Sequence, residues 1–203
     1  MATDLCTLAD FVALTTYDVT TQNENNVNAS ITVASRDVEA FTGRQFWPAT
    51  EPTARYFDAH PDDPYSLRVH DFSTTTGLVV AVDEQQDGTW SKTLTSAQVQ
   101  ALPVGGWDVA LGPVAYTRLA GIDYAFPTPR AGGRAGLVRV TATWGWTAVP
   151  DPVVRATALL ALDMSKDATA KFGAVALSED FLVRIRANPR VQMLLDPYRR
   201  FDL

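Results

Sequence analysis

The sequence predicts an α+β fold: an α-helical core with an inserted antiparallel β region. Three observations give that class. Apolar residues Val27, Ile31, Ala34, Val38 and Phe41 recur at steps of 4, 3, 4 and 3, a single helical stripe. From about residue 53 the pattern changes to short runs rich in β-branched and aromatic residues, separated by turn chemistry. At Pro150-Asp151-Pro152 helical patterning returns.

Taken in order, Thr7 is the expected N-cap of a short helix reaching about Leu14, with Asp10 three residues on as its capping partner. The polar stretch TTYDVTTQNENN leads into the striped helix, which Gly43 terminates and Pro48 prevents from continuing. ARYFDA, SLRVHDF, GLVVAVD, TWSKTL and LVRVTATWGW read as strands, and Asp87-Gly88 as the turn of a hairpin. LPVGGWDVALGP and FPTPRAGGRAG read as loops, their Gly and Pro too dense for regular structure. Asp151 as N-cap and Pro152 at the first position open a long helix, apolar around most of its first three turns and therefore expected to be buried on more than one side. A short strand is expected over Phe181–Arg186, then Asn188-Pro189 starts a last helix, RVQMLLD, closed by Pro197. The expected organisation is 1–52 as N-terminal helices of the core, 53–148 as the β region, 149–196 as the C-terminal helices and 197–203 as an extended tail. No internal repeat is present.

The 203 residues are 46% hydrophobic and 20% charged, a globular composition that argues against disorder and low-complexity readings. No run approaches the roughly 18 apolar residues that span a bilayer. The opening MATDLCTLADFV has acids where a secretory signal carries Lys or Arg, so no export is expected. Cys6 is the one cysteine, which leaves no intrachain disulfide and no thiolate cluster; it reads as a small buried apolar residue. Residues 1–150 hold 9 Lys and Arg against 16 Asp and Glu, whereas residues 151–203 hold 8 against 7. An acidic surface of net charge −6 argues against sequence-reading contact with nucleic acid.

Catalytic patterns are missing. No Walker loop, dinucleotide fingerprint, GxSxG elbow or HExxH helix occurs. His60 and His70, with Asp58, Asp62, Asp63 and Asp71 near them, match no ligand spacing, and HPDDP reads as a solvated turn. AGGRAG at 131–136 lacks the strand-then-helix setting of a phosphate cradle. Adjacent carboxylates such as Asp83/Glu84 and Glu179/Asp180 point apart in extended structure. The chain is accordingly expected not to be an enzyme, with no cofactor, metal or catalytic residue assigned. Trp47, Trp90, Trp107, Trp144 and Trp146 suit packing, with a sugar-stacking β face on Trp144 or Trp146 as the rival reading. At the C-terminus Arg184, Arg186, Arg190, Arg199 and Arg200 gather beside Tyr198, Phe201 and Leu203, the residue types of interface anchors.

Three stretches, VEAFTGRQFWP, VRVTATWGWTAVPDPVVRATALLALDM and NPRVQMLLDPYRR, with the β passages TARYFD and STTTGLVVAVDEQQDGTW between them, resemble the head–tail connector (adaptor) family of tailed bacteriophages and gene transfer agents. The resemblance implies a structural protein of the virion neck, made in the host cytoplasm and assembled as a ring, typically of twelve copies, under the portal protein. That ring would extend the channel for double-stranded DNA, without sequence-specific binding or a membrane, and seat the next neck or tail-completion protein. It implies portal binding by Pro197, Tyr198, Arg199 and Arg200, with Arg190, Phe201 and Leu203 as further interface candidates, and truncation after Asp196 is expected to spare the fold while abolishing docking. A head-completion (stopper) or tail-terminator ring protein, or a carbohydrate-binding β module, are the alternatives.

Overall fold

The computed structural model describes residues 3–170, 185 and 188–200. The fold is α+β and divides into two compact units, Met1–Trp47 with Ala148–Leu203 and Pro48–Thr147.

In the helical unit, α1 (Leu8–Thr15) opens on a capping box: the Asp10 amide donates to Thr7 Oγ1 at 3.1 Å and the Thr7 amide to the Asp10 carboxylate at 3.0 Å. Helix α2 (Glu24–Thr42) buries Val27, Ser30, Ile31, Ala34, Ser35, Val38 and Thr42 along one face and ends on Gly43 in the left-handed region. Ser35 Oγ accepts the Leu5 amide and donates to the Ile31 carbonyl, so its burial leaves no polar group unmatched. Helix α3 (Asp151–Ala170) starts one residue before the expected position, with the Pro150 carbonyl accepting from the Val153 and Val154 amides. It packs against α1, α2 and the last helix, α4 (Pro189–Leu195). Those neighbours explain why Val153, Ala156, Thr157, Ala158, Leu160 and Ala161 are buried around so much of its circumference. Asn188 caps α4 by accepting the Val191 amide, with Pro189 at its first position. Of the segment expected as a strand over 181–186, Ile185 alone lies within the described residues; it is helical and buried, which corrects the expectation there.

The β unit contains two sheets. β1 (Thr53–Phe57), β9 (Val138–Ala142), β3 (Val79–Val82) and β4 (Lys92–Leu94) form one, in the order β1-β9-β3-β4. β2 (Ser66–Phe72), β8 (Tyr116–Gly121) and β5 (Val99–Leu102) form the other, in the order β2-β8-β5. Their facing side chains make one core: Val80, Val82, Leu94, Val138, Val140 and Ala142 from the first sheet, Leu67, Val69, Phe72 and Leu119 from the second, with Trp144 and Phe126. Trp144 is fully buried, donates through Nε1 to the Thr53 carbonyl at 2.8 Å and lies under the Arg55 guanidinium at 4.5 Å.

Several sequence expectations change here. β5 and β8 were not foreseen, because their side chains are mostly half-exposed and lack a β-branched run. LPVGGWDVALGP is not a plain loop. It contains the end of β5, a 3-10 turn over Val104–Gly106 and a third, two-stranded ribbon of β6 (Trp107–Asp108) and β7 (Gly112–Pro113). Gly105, Gly106 and Gly112 all have positive φ: the first two make the 3-10 turn that leads into β6, and Gly112 closes the β6–β7 hairpin. β3 and β4 do pair as a hairpin, but through a nine-residue connection over 83–91 rather than a tight Asp87-Gly88 turn. The buried Asp83 carboxylate organises it by accepting the Asp87 and Gly88 amides at 3.2 and 2.7 Å. The expected strand through Trp146 stops at Ala142, where Gly145 turns the chain at φ 97°.

Candidate functional site

The residues that might have carried chemistry are committed elsewhere. Among the described residues no three His, Cys, Asp or Glu side chains converge to hold a metal ion. His60 is exposed beside Asp62 in its turn, while Nδ1 of His70 lies 2.9 Å from Arg55 with the ring edge-on to Phe57 and Trp144. In the glycine-rich loop, the Gly136 and Leu137 amides donate to the Asp58 carboxylate at 2.7 and 2.9 Å, so an acid already occupies those two donors. Asp83 points into its own loop, whereas Glu84 accepts from Lys92 Nζ and Tyr124 Oη, and these bonds hold its carboxyl below the usual range. Burial, then Asp10 and Asp4, pushes the Cys6 thiol up to about 12, which leaves it protonated and inert at neutral pH. Trp144 and Trp146 are buried, Trp146 donating to the Asp71 carboxylate at 2.8 Å, and neither offers a face for a sugar.

The C-terminal segment, which the sequence marks as an interface candidate, is largely folded onto the helical unit. Asp196–Tyr198 form a 3-10 turn rather than extended chain. Tyr198 is only 4% exposed, its ring edge-on to Phe46 at 6.0 Å, and its carbonyl accepts from Arg44 Nε at 2.6 Å. Burial raises the Tyr198 hydroxyl above its ordinary pKa, with Asp151 adding to it. The Arg199 guanidinium lies over Phe41 at 5.0 Å, and the Arg200 amide donates to the Thr42 carbonyl at 2.8 Å. That bond satisfies a carbonyl that the end of α2 leaves open. The segment therefore straps across the C-terminus of α2. Truncation after Asp196 would remove internal packing, contrary to the expectation that the fold would be untouched.

Arg190 and Pro197 are exposed, and Phe201 and Leu203 lie outside the described residues. Between the first two, the sequence reading missed Met193, 76% exposed on α4. Its spacing of three from Arg190 places both on one helical face, which was a readable signal. In the β unit, separately, the tip of the β6–β7 hairpin leaves Trp107 60% and Val109 100% exposed.

A solved structure shares the fold. The chain aligns over 98% of its length with a chain from the neck of an empty GTA (gene transfer agent) particle, computed with C6 symmetry. The match covers 91% of that chain at 17% identity, with a TM-score of 0.53. The likeness is one of fold, and it takes in both units. No protein-family profile matches the sequence. No curated protein matches it. No helix among the described residues is long and apolar enough to cross a membrane.

Proposed function

We propose that this chain is a structural protein of a virion neck, a head–tail connector (adaptor) whose copies form a ring, typically of twelve, beneath a portal protein. The observation that carries the reading is the fold correspondence along nearly the whole chain with a protein of a GTA neck. Commitment of His70, Asp83, Glu84 and Cys6 to local structure supports a part that works by shape rather than by turnover.

In this proposal the ring extends the channel for double-stranded DNA and presents a platform to the next neck or tail-completion protein. The negative charge, concentrated in residues 1–150, would repel phosphate wherever it faces the lumen and let DNA slide. Portal contact falls to the edge formed by Arg190, Met193, Pro197 and Arg199, with Tyr198 as the strut that fixes it and Arg200 tied to α2. Arginine there would pair with portal carboxylates through two parallel hydrogen bonds.

The test is electron microscopy of the purified protein alone and mixed with its portal. A pored ring coaxial with the portal is expected, and Met193→Asp with Arg190→Glu, both exposed on α4, should abolish that docking at nearly unchanged thermal stability. A ring that binds only a preassembled connector would favour a stopper, one that binds only tail tubes a terminator. Substrate turnover by the lone subunit, or absence of the protein from purified particles, would overturn the reading.

A further inference from the structure

Two exposed surfaces of the β unit complement each other but cannot meet within one copy. The first is the β6–β7 hairpin, which leaves β5 and returns to β8. The Asp108 carboxylate accepts the Ala110 and Leu111 amides at 2.8 and 3.0 Å, and Gly112 at φ 76° closes the three-residue tip. The tip is thus built in advance of any contact, and it presents Trp107, Val109 and Leu111 with Asp108 as its single charge.

The second surface is the outer face of the β1-β9-β3-β4 sheet. Register places Tyr56, Arg139, Ala81 and Thr93 in one row and Ala54, Thr141 and Val79 in the next, on the side away from the core; of these Ala81 is itself buried beneath its neighbours. Tyr56 and Val79 are exposed; Tyr56 lies 5.0 Å from the Trp90 ring, and the Arg139 guanidinium sits over that ring at 5.6 Å. Among these strand residues Arg139 is the one charge, and no carboxylate pairs with it among the described residues. The nearest acid, Asp58 at the end of β1, is taken up by the Gly136 and Leu137 amides.

We propose that the hairpin of one copy docks on this sheet face of the next. The shared core lies between the two sheets, so the hairpin belongs to one sheet and the receiving face is the far side of the other. One copy cannot join them, whereas a head-to-tail series of copies joins every pair, which is how heterologous contacts close a ring. Charge favours the pairing: the apolar tip carries Asp108, and the aromatic face carries Arg139, which has no carboxylate partner among the described residues. The inference rests on the ring reading above and names its subunit contact.

The test uses the full chain with Cys6→Ala, assembled on portal-bearing heads. Val109→Cys combined with Thr93→Cys or Val79→Cys, mildly oxidised, is expected to give a ladder of covalent oligomers. An equal mixture of the single variants should stop at dimers. Val109→Asp and Arg139→Glu should each lower ring yield at least tenfold without lowering Tm. Rings at wild-type yield from both charge variants, with no cross-links from either pair, overturn the hairpin contact and leave the ring reading standing. Failure of the unmodified protein to form any ring overturns both.

Discussion

Tyr198 and Trp107 are large aromatic residues in segments that regular structure barely holds, yet one is 4% and the other 60% exposed. Tyr198 is gripped from three sides: its ring meets Phe46, its carbonyl meets Arg44, and the next residues cover Phe41 and the end of α2. Trp107 has its tip near Gly112, 3.8 Å from where a Cβ would stand, and otherwise faces outward. An aromatic next to arginines can be a strut, and one among glycines can be a probe. Local composition alone does not distinguish them; available backbone acceptors and ring partners do.

The largest expected effect follows from that contrast. Tyr198→Ala should destabilise the helical unit by about 3 kcal/mol, the scale of emptying a buried aromatic site. In a chain of this size that lowers Tm by on the order of 6–12 °C in a thermal melt. Deleting residues 197–203 should do at least as much. A melt unchanged by either would make the strap a free tail and erase the difference from the hairpin.

Next comes Asp108→Ala, which removes the acceptor of two tip amides. A loosening of about 1 kcal/mol, confined to the hairpin, is expected, visible as faster amide hydrogen exchange at Ala110 and Leu111 with little change in Tm. Trp107→Ala should then change stability by less than about 0.5 kcal/mol, as a surface substitution does. A loss comparable to that of Tyr198→Ala would mean that Trp107 is a packing residue after all.

The smallest effect is a pH dependence. Hydrogen bonds from the Thr7 side chain and then its amide hold the Asp10 carboxyl below its ordinary pKa. A folded value below the unfolded one adds stability above the ordinary carboxylate range, and that stability fades as pH falls through the depressed value. Thr7→Ala should flatten this acid-side slope in melts taken between pH 5 and pH 2, an exposed and well-screened contribution.

Much of the helical unit was legible because its signals are local. Thr7 with Asp10, Gly43, and Asn188 with Pro189 each act within a few residues, and the stripe from Val27 to Val38 needs only a helical period. The β unit was legible where one face is apolar, as at Val138, Val140 and Ala142, and illegible at β5 and β8, which both faces leave partly wet. The candidate surface was half legible. Arginines and Tyr198 marked the C-terminal segment as unusual, but the acceptor that captures Arg200 is a carbonyl of Thr42, and backbone acceptors leave no trace in residue identity. Likewise the Asp108 turn was hidden because the glycines around it read equally as disorder or as design.

The bond from Arg44 to Tyr198 joins residues 154 apart, and the β unit occupies the stretch between them. On the ribosome, residues 48–147 emerge as one contiguous block that contains all of its own sheet partners, while α1 and α2 wait for α3 and the strap to be synthesised. The helical surface thus matures last. A nascent chain carries the whole β unit before residues 188–200, which complete the packing at the end of α2, have been made.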